Sequence, residues 1–150
     1  MKNLRIVPHL VTLFILLSVA TVLAVPGERI DPKSVKHKVS FTLGAKGTIQ
    51  FKQRGDLLTE PKLSNKFEEG GGVGGEFRKN DKDDRLIGLM VQNRFPKALR
   101  YRALMRLKGR KEYVETSIVP VMAGLLSYES WADPIEELIL FDFRLTDEKP

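Results

Sequence analysis

The stretch that decides the fold is RLIGLMVQNRFPKALRYRALMRLK, residues 85–108. Over 99–107 every odd position is apolar (Leu99, Tyr101, Ala103, Met105, Leu107), while the even positions through 108 read Arg100, Arg102, Leu104, Arg106 and Lys108. Leu104 alone breaks a strictly alternating, half-buried strand. Intrinsic propensity argues the other way: Ala, Leu, Arg, Met and Lys are good helix formers, Pro96 is placed like a first-turn proline and Gly109 like a C-cap. Periodicity decides between them. At about 100° per residue the apolar positions scatter around the helical wheel with arginines between them; at 180° they fall on one side. Burying four large side chains contributes roughly 1.5–3 kcal/mol each, against propensity differences of about 0.7 kcal/mol or less per residue. The stretch reads as a central β-hairpin, with 86–91 a strand covered on both faces and 93–97 its connection.

Working outward, Val39, Phe41 and Leu43 alternate with Lys38, Ser40 and Thr42, a turn follows at 44–47, and Ile49 and Phe51 continue the pattern, which predicts a second hairpin. From 53 to 84 the alternation dissolves into Pro61, glycines 70–72, 74 and 75, and the charged run 78–84; Leu57, Leu58 and Leu63 suggest a short edge strand there. Residues 61–84 are expected to form a flexible Gly-rich loop. Downstream, 113–121 is rich in β-branched residues with Pro120 marking an edge or bulge, 125–131 reads as a further strand, and Ile139, Phe141, Phe143 and Leu145 are expected on one face of the last strand, opposite Asp142 and Arg144.

About seven short strands and no helix predict an all-β fold: a small antiparallel two-sheet β-sandwich, immunoglobulin-like in architecture alone. The expected organisation is a signal peptide over 1–24, an exposed lead-in over 25–35, one sandwich domain over 36–146 and a tail over 147–150. The signal peptide rests on Lys2 and Arg5 ahead of an apolar run over 10–25, with small residues near Ala24. As a helix those sixteen residues would be about 24 Å long, short of the ~30 Å hydrocarbon core, so cleavage is expected rather than anchoring. Membrane contact is expected solely through this segment if it is retained.

Cleavage removes two positive charges from a chain of net charge +6, leaving +4. That bias is mild, and does not by itself indicate nucleic-acid binding. With no cysteine, the chain holds no disulfide framework, thiolate nucleophile or cysteine metal site. An exported domain held by packing alone suits a bacterial periplasm or a secreted bacterial protein.

Gly70 to Gly75 satisfy G-x-G-x-x-G literally, but 65–69 is no strand and 76–79 opens no helix, so no nucleotide site is expected. Asp81, Asp83 and Asp84 lack calcium-loop spacing and are balanced by Lys79, Lys82 and Arg85. His9 leaves with the signal peptide, and His37 has no serine elbow to serve. No cofactor or metal site is expected.

The sharpest feature is the row Arg100, Arg102, Arg106 and Lys108, next neighbours about 6.6 Å apart along one strand face. Unpaired, such a row repels itself and suits a polyanion. Alternatively Glu112, Glu115, Glu136, Glu137 or Asp142 neutralises it from adjacent strands. Tyr128 and Trp131 are a candidate aromatic contact, with packing over the core end as the alternative for Trp131. The expected function is an exported, non-enzymatic binding or interaction module of the cell envelope, its partner an anionic envelope component or a protein. The alternative is an envelope hydrolase, or an enzyme's accessory domain, using loop 61–84 and Glu129.

Overall fold

The computed structural model describes residues 28–65, 72–83 and 85–148; the expected signal peptide lies outside them. Among the described residues there are nine strands: β1 (Val39–Thr42), β2 (Lys46–Arg54), β3 (Leu57–Ser64), β4 (Val73–Lys79), β5 (Ile87–Asn93), β6 (Ala98–Leu107), β7 (Val114–Thr116), β8 (Leu126–Trp131) and β9 (Ile135–Thr146). The all-β expectation holds. The strands pair antiparallel in one continuous sheet, ordered β7-β6-β9-β3-β2-β4-β5-β8. β9 also pairs with β1 at 137–140. Two separate immunoglobulin-like sheets are not what this pairing gives. The sheet curls into a half-barrel and closes on one core that includes Phe41, Ile49, Phe77, Leu89, Leu99, Leu138 and Phe143.

Both expected hairpins are corrected. β5 pairs with β4 and β8, β6 with β7 and β9, and the two do not pair with each other. Asn93 explains the departure. Its fully buried side chain donates to the carbonyls of Lys97 (2.9 Å), Val121 (2.9 Å) and Met122 (3.2 Å), and its Oδ1 accepts from Phe95 N–H (3.0 Å). These bonds turn the chain from one half of the sheet to the other, where a hairpin connection over 93–97 would have doubled it back. β1 likewise pairs with β9, because both edges of β2 are taken by β3 and β4.

The last strand changes phase midway. Leu138 and Leu140 face the main core with Phe143 and Leu145, whereas Ile139 and Phe141 pack on the outer face with Leu104. The register against β6 shifts between Arg100 and Arg102, and Asp142 lies in the left-handed region at φ 54°. This is a β-bulge, and a short polar residue tolerates that conformation better than a branched apolar one. The outer cluster is covered by Ile30, Val35 and Tyr113, so Leu104, the exception in the alternation, is buried by the lead-in. Main-chain bonds join Ile30 to Tyr113 (3.2 Å) and Glu115 to Glu28 (3.0 Å), laying 28–30 along the outer edge of β7.

Part of the expected 61–84 loop is strand: β3 runs to Ser64, and β4 occupies 73–79. Gly75 admits this, since a Cβ there would meet Phe41 Cζ at 2.7 Å; the glycine gives a core phenylalanine room. Replacing Asn93 with Ala would leave buried carbonyls without a donor. We expect a loss of roughly 2–4 kcal/mol, read as a lowered urea midpoint with the native slope retained.

Candidate functional site

The four cations of the predicted row do not form one site. Leu104 separates them under the lead-in, leaving Arg100 and Arg102 on one side and Arg106 and Lys108 on the other. Arg106 is the most engaged: it donates to Glu136 (2.5 Å), Glu137 (3.1 Å) and the Tyr113 hydroxyl (3.2 Å), and its guanidinium lies 5.8 Å from the Tyr113 ring centroid. Those bonds, Tyr113 first, raise its pKa. Lys108 N–H donates to Pro134 O (2.7 Å), and no described carboxylate pairs with its ammonium.

At the other end the register places Arg100 directly opposite Arg144 on β9. Like charges in that position are destabilising, and each is met by its own carboxylate. Arg100 pairs with Glu148, and Arg144 with Asp142 (2.6 Å) two residues away. Arg102 makes a two-pronged pair with Glu115 (2.7 and 2.6 Å) and stacks 4.9 Å from the Phe141 ring centroid. The cross-strand neutralisation weighed from the sequence is therefore present at Arg102 and Arg106, through Glu115, Glu136 and Glu137.

These three arginines converge because the edge of β6 is interrupted. Val121 pairs with Leu99, and Thr116 with Ala103, but the chain between them leaves the sheet. The resulting notch, about 310 Å³, is lined by Arg100, Tyr101, Arg102, Ile118, Pro120, Asp142 and Arg144. Leu99 exchanges both main-chain bonds with Val121 (2.8 and 2.9 Å). Alternation along the strand turns the main-chain N–H of Tyr101, two residues on, toward the same side. A second hollow, about 450 Å³, shares Arg102 and Asp142 and reaches Lys36 and His37 under the lead-in. An anion in the notch would meet three guanidinium groups with donors to spare, since each has five N–H groups.

Arg144 was legible in the sequence as an outward residue of the last strand; its place beside Arg100 was not, because register depends on the bulge. Tyr128 and Trp131 do not form a joint platform. They project from opposite faces of β8: Tyr128 is exposed and accepts from Asn80 Nδ2 (3.1 Å), while Trp131 packs on the core and donates to Thr116 Oγ1 (3.2 Å). Glu129 accepts from Val119 N–H (3.1 Å), and His37 Nδ1 accepts from Glu60 N–H (3.3 Å). Among the described residues no three His, Asp or Glu side chains gather as metal ligands. The Tyr101 hydroxyl is buried; burial, and secondarily the charge on Glu129, pushes the phenol up.

The chain matches no protein-family model, no curated protein and no solved structure.

Arg102 holds the Glu115 carboxyl below its ordinary range, and Arg100 does the same for Glu148. A depressed carboxylate stabilises the fold fully above its unfolded pKa, about 4.3, and that contribution is lost as pH falls through the folded value. The unfolding midpoint should therefore drop on acidification below about pH 4, and Glu115→Gln should show a smaller drop over that window. An unchanged acid profile in the variant would mean that the Arg102–Glu115 pair contributes nothing to stability.

Proposed function

We propose that this chain is an exported, non-catalytic binding module whose notch, lined by Arg100, Arg102 and Arg144, takes an anionic group of a cell-envelope partner. In this reading residues 1–24 are removed on export, and the curled half-barrel sheet is the frame that presents the notch. The observation that carries the proposal is the placement of Arg100 opposite Arg144 beside Arg102 in one concavity. A sheet built for stability alone does better with an opposite charge at either position. Each of the three now holds its own carboxylate, Glu148, Glu115 or Asp142, while the arginine side chains stay about half exposed, at 52, 46 and 53%. An incoming anion bound to three guanidinium groups can displace exposed pairs that are each worth little in water.

The test is a salt titration of binding to immobilised heparin and to lipopolysaccharide. The wild-type affinity should fall steeply with salt. The double variant Arg100→Gln/Arg144→Gln should bind about tenfold more weakly or worse, with its circular dichroism and urea midpoint near wild type. Glu129→Gln should leave binding unchanged. No binding at low salt, or full binding by the double variant, would overturn the proposal. Loss of a hydrolytic activity in Glu129→Gln would favour the enzyme reading instead.

A further inference from the structure

We infer that β8 is a self-pairing edge, at which two copies of this chain associate by antiparallel pairing of Leu126–Trp131 about a two-fold axis through Tyr128. The phase of the strand sets which groups are offered. Asn93 N–H donates to Leu125 O (2.9 Å), and β5 pairs with β8 in the continuing register Gln92 with Leu126 and Met90 with Tyr128. Hydrogen bonding toward β5 therefore falls on the odd positions, and the N–H and C=O groups of Leu126, Tyr128 and Ser130 point away from the sheet. No main-chain bond reaches them among the described residues. The opposite end of the sheet is covered, since 28–30 lie along β7.

An open edge is ordinarily blunted by lysine, proline, a bulge or an inward charge. The run LLSYESW, 125–131, contains no lysine, arginine or proline, and the register of β8 against β5 is unbroken. Its one charge, Glu129, is turned to Val119 N–H on the inner side. The outward side chains also leave the edge accessible. Tyr128 lies flat across Gly88, where any Cβ would collide with its ring, and Asn80 holds its hydroxyl. Leu125, Leu126 and Tyr128 are 56%, 54% and 46% exposed.

Charge and symmetry select a second copy as the occupant. Two copies of a chain with net charge +6 repel over most approaches, and β8 is a strip without basic residues on which they meet without opposed arginines. An axis through Tyr128 sets Leu126 opposite Ser130 of the second copy and Tyr128 opposite Tyr128. Every outward donor then finds an acceptor, and the contact is isologous, as in most dimers. So short a strip implies a reversible, concentration-dependent dimer rather than an obligate one.

Sedimentation equilibrium of the purified full chain over a wide concentration range is the test. Wild type should show monomer and dimer in exchange. Ser130→Pro deletes an outward N–H that β5 does not use, and Leu126→Lys puts a charge beside the edge; both should be monomeric while keeping the native circular dichroism. The chain has no cysteine, so Tyr128→Cys should oxidise to a linked dimer, while Lys46→Cys on β2 should not. A wild type that stays monomeric throughout would overturn self-pairing and leave the edge to a foreign strand. A dimer persisting in both edge variants would overturn it equally.

Discussion

One buried amide determines how this sheet is folded. Asn93 sits at the end of β5, where its side chain meets three carbonyls and one N–H while its own N–H donates to Leu125. A buried polar group must find such partners or cost the full price of desolvation. Here they come from the connection to β6 and from the segment that leads to β8. The chain is thereby directed across the core instead of back along β5, and β6 takes β9 as its neighbour. The rest follows from that partnership: the bulge at Asp142, the opposition of Arg100 and Arg144, and the outer cluster under the lead-in.

The charge arrangement is a consequence of the same register. A simple alternating strand would have offered four cations in a line. The curled sheet instead buries Leu104 between them, ties Arg106 into a carboxylate and tyrosine cluster, and gathers Arg100, Arg102 and Arg144 at an interrupted edge. The two ends of the row thus have different chemistry. At one, Arg106 is tied to Glu136, Glu137 and the Tyr113 hydroxyl; the other is concave, and its arginines are about half exposed, each with its own carboxylate.

Local alternation made much of this readable in the sequence. The inward face of β6, the strand at 125–131 and the all-β class follow from period-two patterning, which acts over a few residues and needs no partner. Pairing was not readable in this way. The patterns of 39–43 and 49–51 are equally consistent with a hairpin or with two strands of distant neighbours, and only the occupied edges of β2 decide it. The glycines at 74 and 75 looked like loop chemistry because their use, making room for Phe41 and for close strand approach, depends on residues far along the chain. Alternation alone puts Arg144 on the outward face, yet its position opposite Arg100 comes from the bulge at Asp142, for which 135–146 carries no turn signal. Ile139 and Phe141 share the alternation of Phe143 and Leu145 yet lie on the opposite face for the same reason: a single left-handed residue reverses the phase of everything beyond it.

The account depends on β6 lying against β9 rather than against β5. Nuclear Overhauser contacts between main-chain protons of the labelled protein test this directly. The structure predicts cross-strand contacts for Arg102 with Phe141 and for Leu104 with Ile139, and none running in hairpin register from β5 to β6. A ladder of contacts from Val91 and Leu89 to Leu99 and Tyr101 in hairpin register would contradict it, and with it the convergence of the three arginines.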